Sequence, residues 1–325
     1  VPVIPSSYRA PAWLRGGHAQ TIFPALFRRV PQVTKRRERI ELPDGDFLDL
    51  DWATLGSNRL AILSHGLEAD SSATYIQGMA GALHRRGWDV LAWNYRGCGG
   101  ESNRLLKFYH SGASDDLDHV VRHALAVHPA RHIDLIGFSL GGNMTLKYLG
   151  EREVDPRVHR AVAFSVPCDL ACSSVRLSSA LNRHLYMRRF LVSLRKKLAE
   201  KQPRFPAEID LTGIGAIRDF RGFDDRFTAP LHGFRDAEDY WARSSSRPFL
   251  SRILIPALLV SAANDPFLGP RCFPLEEAEA SPHFHLEVPA DGGHCGFPGG
   301  FREAWAEHRA AEFLEGRVLP AASPG

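Results

Sequence analysis

Residues 133–143 read IDLIGFSLGGN. A run that is apolar except for Asp134 leads straight into Gly137-Phe138-Ser139-Leu140-Gly141, and apolar residues then recur at helical spacing through Met144, Tyr148 and Leu149. A strand that enters a helix through G-x-S-x-G is a sharp turn that lifts a Ser hydroxyl clear of a sheet. Gly137 and Gly141 belong there because side chains at those positions would collide with neighbouring backbone. The stretch therefore makes Ser139 a candidate nucleophile on a strand–turn–helix elbow.

The texture on either side agrees. Short apolar runs at 59–64, 89–95, 161–166 and 253–262 read as buried strands, and 75–86 and 111–128 have helical spacing, with Ser111 or Ser114 as N-cap. The run 284–288 (FHLEV) alternates, as a half-exposed strand near a sheet edge would. Residues 31–39 read as a charged linker, and Asp44-Gly45 between 39–42 and 47–51 reads as a hairpin turn. Strands alternating with helices predict an α/β protein with a mostly parallel, doubly wound sheet. The alternation fails between 166 and 253. There Leu177, Leu181, Leu185, Leu191, Leu194 and Leu198 predict one long amphipathic helix, ended by Pro203 and Pro206. The expected organisation is an N-terminal extension at 1–40, a core at 41–167 and 246–325, and a helical cap inserted at 168–245.

A Ser nucleophile needs a base, and the base needs an orienting carboxylate. On this kind of sheet they follow the Ser in the order acid, then His. His294, in Asp291-Gly292-Gly293-His294 past the last strand, is the candidate base. Asp265, in Asn264-Asp265-Pro266, is the candidate acid, with Asp169 as the alternative. An oxyanion needs two backbone donors. The expected ones are the N–H groups of Leu140, next to the nucleophile, and Leu67, in the His65-Gly66-Leu67 turn after residues 59–64. His65 reads as structural, and His110 with Asp115 as a weak second pairing.

These residues carry a resemblance that runs over nearly the whole chain. Gly17-His18-Ala19-Gln20-Thr21, His65-Gly66-Leu67-Glu68, Tyr95-Arg96-Gly97-Cys98-Gly99-Gly100, Tyr109-His110-Ser111-Gly112 and the elbow at 137–143 are similar to the YheT-like branch of the α/β-hydrolases. So are Phe223-Asp224-Asp225, His232-Gly233-Phe234, Asn264-Asp265-Pro266-Phe267 and Gly292-Gly293-His294. The resemblance implies an α/β-hydrolase fold and the triad Ser139, Asp265 and His294. It also implies hydrolysis of carboxylic esters, with acyl transfer to alcohols as a variant. The apolar cap stripe suggests short- to medium-chain acyl groups. One departure is Ala69-Asp70, where the branch usually has Gly-Ser. The alternatives are thioester or amide cleavage by the same triad, and a hydrolase fold that binds without turnover.

Composition narrows the field further. In 325 residues, 44% are hydrophobic and 24% charged, which is ordinary for a globular chain. A net charge of +3 makes no case for nucleic acid. No apolar run is long enough to span a membrane, and the Pro-rich start lacks the apolar region of a secretory leader. Cys98, Cys168, Cys172, Cys272 and Cys295 have irregular spacing. No metal site or cofactor is expected, and the setting reads as reducing and cytoplasmic. Residues 176–204 hold nine Arg and Lys against Glu200 alone. They read as a solvated cap face or, more sharply, as a surface for anionic lipid or an acidic partner.

Overall fold

The computed structural model describes residues 2–299 and 303–317. Among the described residues there are nine strands: β1 (Val3–Ile4), β2 (Arg36–Glu41), β3 (Phe47–Ala53), β4 (Arg59–Ser64), β5 (Asp89–Asn94), β6 (His132–Phe138), β7 (Val158–Phe164), β8 (Ala257–Val260) and β9 (Phe284–Glu287). Four helices lie before or between the first seven strands: α1 (Gly17–Phe27), α2 (Thr74–His84), α3 (Ser114–Val127) and α4 (Leu140–Glu151). Between β7 and β8 come α5 (Leu170–Leu177), α6 (Ala180–Asn182), α7 (Arg188–Lys201), α8 (Phe220–Phe223), α9 (Ala229–His232) and α10 (Ala237–Ser244). The last two are α11 (Leu275–Glu279) and α12 (Trp305–Leu314).

The strands form one sheet in the order β1-β9-β8-β7-β6-β4-β5-β3-β2, parallel from β1 to β5 and antiparallel at β3 and β2. Successive side chains on a strand point to opposite faces. Leu60 and Ile62 of β4 therefore join one core with Leu117 and Val120 of α3 and Met144 of α4. Ala61 and Leu63 join the other, with Ile76 and Met79 of α2 and Phe313 of α12. The central strands are buried on both faces, which is why they read as unbroken apolar runs.

Several expectations need correction. The segment expected as a linker at 31–39 is half strand: Arg37 and Arg39 sit directly opposite Asp51 and Asp49 across the β2–β3 ladder and pair with them at 2.8 Å. Those partners are remote in the local pattern, so the run looked merely charged. The expected strand at 253–262 shrinks to β8, because Pro256 offers no N–H to a ladder. Residues 284–287 lie near the sheet edge as expected, but they are mostly buried and not half-exposed, since β1 pairs outside them. Neither serine caps α3. Ala113 holds that position, Ser114 donates to Glu151 at 2.5 Å, and Ser111 accepts from Tyr240 at 2.9 Å.

The long cap helix is also broken. Ser178 and Ser179 separate α5 from α6, and the Asn182 amide ties the new start to the carbonyls of Arg176 and Pro266 at 2.9 and 2.7 Å. A π-turn at Arg183–Met187 then shifts the phase. Leu177, Leu191, Leu194 and Leu198 stay buried, but Leu181 and Leu185 turn outward. The part of the core expected at 318–325 lies outside the described residues.

Candidate active site

The residues expected to form the triad and the turn after residues 59–64 all stand at the C-terminal ends of parallel strands. The turn His65-Gly66-Leu67 follows β4, Ser139 follows β6, Asp265 follows β8 and His294 follows β9. Ligand sites of open α/β sheets form at this edge, because the loops there converge over the strand ends.

Ser139 sits at φ 53°, ψ −119°, between β6 and α4. Non-glycine residues rarely occupy positive φ, and such strain costs about 1–3 kcal/mol. Close packing holds it there. A Cβ on Gly137 would lie 2.5 Å from the Gly141 carbonyl oxygen, and one on Gly141 would lie 2.5 Å from that of His65. Glu68, Ser165, Cys295 and Phe297 also have positive φ, so five strained residues gather on the loops at this edge.

The structure brings Ser139, His294 and Asp265 together. His294 Nε2 lies 2.9 Å from Ser139 Oγ, and His294 Nδ1 lies 2.9 and 3.1 Å from the two oxygens of Asp265. One tautomer satisfies both ends: Nδ1–H donates to the carboxylate and Nε2 accepts the Ser hydroxyl proton. Asp265 is buried and also accepts the Phe267 N–H at 2.8 Å. The Phe267 ring stacks on the imidazole, 3.9 Å between centroids. Burial pulls the His294 pKa down, but the Asp265 carboxylate, with Cys295 beside it, outweighs this and raises it.

The turn after β4 has its own anchors. The Gly66 N–H donates to the Tyr75 hydroxyl and the Glu68 N–H to the Tyr109 hydroxyl, both at 2.9 Å. The Leu67 N–H between them has no protein acceptor among the described residues, and Leu140 opens α4, where the first N–H groups lack helical partners. The Glu68 carboxylate accepts from Tyr109 at 2.6 Å, pairs with Lys197 of α7 at 3.0 Å and accepts from Ser193 of the same helix. α7 is thus bonded directly to the turn. His65 is buried, holds Gly66 O and Tyr95 N–H with its two nitrogens, and is pushed down to about 4 by burial, as suits a structural neutral imidazole.

The remaining candidates stand outside the triad, although His110 lines the same cavity. Asp169 caps α5 through the Cys172 N–H and pairs with Arg271 at 2.5 Å. Asp115 is exposed on α3 and paired with Arg152, while His110 accepts the Gly112 N–H at 3.2 Å. Cys98 lies 2.9 Å from Lys197 Nζ, and burial raises its thiol to about 11.

Local sequence pattern assigns α1 no part in the site, yet α1 holds the histidine loop. Gln20 Oε1 accepts from the Gly292 N–H at 2.8 Å and from Asn264 Nδ2 at 2.9 Å, and Gln20 Nε2 donates to Leu14 O at 2.9 Å. Thr21 Oγ1 accepts the His294 N–H at 2.8 Å. The only signal for this was the Gly17–Thr21 motif, which local pattern left without a partner. Gln20 is fully buried, so Gln20→Ala strands at least two polar groups at about 1–3 kcal/mol each. Urea unfolding should show a loss of at least about 2 kcal/mol. A loss within experimental error would mean that α1 does not brace the loop.

The site opens into a cavity of about 740 Å³, within the range of roughly 300–1,000 Å³ common for small-molecule pockets. Ser139, His294, Leu67 and Leu140 line it together with apolar cap residues such as Leu177, Phe190, Leu194 and Phe220.

This geometry defines a class, and sequence comparison gives the same one. The alpha/beta hydrolase fold family matches residues 62–301, and the chain belongs to that family. Within it the chain falls in the YheT-like branch. It is 35% identical over 306 residues to YheT of Escherichia coli (strain K12), provisionally named an esterase, covering 91% of this chain and 89% of that protein. It is 29% identical over 305 residues to phospholipase ABHD3 of Mus musculus, covering 91% of this chain and 74% of that one. The solved Pyrococcus furiosus esterase Pf2001 shares the fold, with TM-score 0.60 and 18% identity, covering 91% of this chain and 98% of that chain. No helix among the described residues is long and apolar enough to cross a membrane.

Proposed function

We propose that the protein is a serine hydrolase of carboxylic esters carrying short- to medium-chain acyl groups. Ser139 Oγ attacks the carbonyl carbon while His294 Nε2 takes its proton, and Asp265 orients the ring and stabilises the imidazolium. The Leu67 and Leu140 N–H groups hold the oxyanion. The imidazolium returns its proton to the departing alcohol, leaving an acyl group on Ser139. Water, or a second alcohol, then releases the acyl group by the reverse sequence, so one site serves hydrolysis and acyl transfer. Residues 168–245 act as the cap that shapes the acyl pocket.

One observation carries this reading: an unbroken hydrogen-bonded line from Asp265 through His294 to Ser139 that ends in a largely apolar cavity. A binding protein has no use for such a line. Relatives named as an esterase and a phospholipase support ester chemistry, and five free thiols suit a reducing, cytoplasmic setting. The test is kcat/KM across nitrophenyl esters from acetyl to palmitoyl. The expected result is a maximum at intermediate chain length. Tight binding of esters without turnover at any length would favour a binding role instead.

A further inference from the structure

Large apolar side chains are exposed around the mouth of the cavity. On α1 and the turn before it, Trp13, Leu26 and Phe27 are 61–67% exposed. Trp13 packs edge-on against Phe23, and Phe23 against Phe27, so they form one ridge. On the cap, Leu181, Leu185 and Val192 are 37–57% exposed. The two groups adjoin. Leu26 of α1 and Leu185 of the cap line the same cavity, and His18 is bonded to Tyr186 of the π-turn at 3.0 Å.

Five arginines close in sequence to these apolar residues are unneutralised. Arg15, Arg29, Arg183, Arg188 and Arg189 are exposed, and none has a carboxylate partner among the described residues; Arg15 and Arg183 reach only backbone carbonyls. Other cations at 28–39 and 176–204 are spoken for. Arg28 pairs with Glu307 at 2.6 Å, Arg37 and Arg39 with β3 aspartates, and Lys197 with Glu68. Lys201 is buried against the carbonyls of Asn103 and Leu105. The cap helix is therefore not uniformly solvated: two of its lysines turn inward, and its free arginines collect beside the apolar ridge. Asp70 stands among the cavity-lining residues of the oxyanion turn.

We infer that α1 and the outer side of the cap form a docking surface for an anionic phospholipid bilayer. The apolar ridge enters the interface and the free arginines meet the phosphate layer. An apolar patch rimmed by unpaired cations matches that surface, where each Arg near anionic headgroups adds binding and aromatic and aliphatic side chains add burial. Docking in this pose sets the cavity mouth against lipid, so an acyl ester reaches Ser139 without crossing water. This last step rests on the esterase reading; the docking itself does not.

The experiment sediments the full chain with vesicles of phosphatidylcholine alone and of equimolar phosphatidylcholine and phosphatidylglycerol. Binding to the anionic vesicles should be at least about tenfold tighter and should weaken with salt. Phe27→Glu with Val192→Glu should weaken it about tenfold, and Arg183→Glu with Arg188→Glu should bring it down to the neutral level. Hydrolysis of a water-soluble short-chain ester should be unchanged in both variants, which shows that they are folded. Equal binding to both vesicle types, binding unaffected by the variants, or no binding at all overturns the proposal. So does a dimer that Phe27→Glu with Val192→Glu dissociates while vesicles stay unbound. An inactive wild type that still binds anionic vesicles would overturn the esterase reading and leave the docking surface intact.

Discussion

Ser139→Ala should fold normally and hydrolyse esters about 10⁶-fold more slowly than wild type. The loss is large because the variant has no nucleophile to form the acyl intermediate, while the oxyanion donors and the pocket remain. Those remnants should keep the rate measurably above the uncatalysed one. His294→Ala should fall to a similar level, because the Ser hydroxyl alone is a weak nucleophile. The two losses should not add in the double variant, since the residues act as one unit. A Ser139→Ala protein retaining even a tenth of the wild-type rate would remove Ser139 from the mechanism.

Asp265→Asn should cost about 10⁴ in kcat, with a diagnostic change in pH dependence. The carboxylate accepts the Nδ1–H and so leaves Nε2 free to receive the Ser proton. An amide in its place can donate to Nδ1, which puts the ring proton on Nε2, facing the hydroxyl it should deprotonate. The carboxylate also raises the imidazole pKa. A raised pKa means that the neutral base accumulates only as pH rises, so wild-type activity should climb with pH along a limb centred above the ordinary value of about 6.5. Removing the charge should move that limb to lower pH, read from kcat/KM or from NMR of the His294 ring. An unmoved limb would mean that Asp265 does not set the base.

Sequence and structure agree where the physics is local. The elbow was legible because a strand, two obligatory glycines and a helix are contiguous within residues 133–151. The candidate acid and base were legible because each follows a strand closely, and on a parallel sheet all such loops share one edge. What escaped were long-range pairings. Arg37 and Arg39 looked like linker because their aspartates stand on another strand. The Leu stripe read as one helix because periodicity does not register a π-turn that shifts phase by one residue. Gln20 and Thr21 could not be assigned a task, since their partners lie some 270 residues away. Lys197 counted as surface charge because its partners, Glu68 and Cys98, reach it only across the cap.

The central claim is that Ser139 is a nucleophile activated by His294. Covalent labelling tests it most directly. A fluorophosphonate should modify wild-type protein at a single site, which peptide mass spectrometry places on Ser139, and should leave both Ser139→Ala and His294→Ala unlabelled. Labelling of Ser139→Ala to the same extent as wild type, or of another residue in the wild type, would contradict the account.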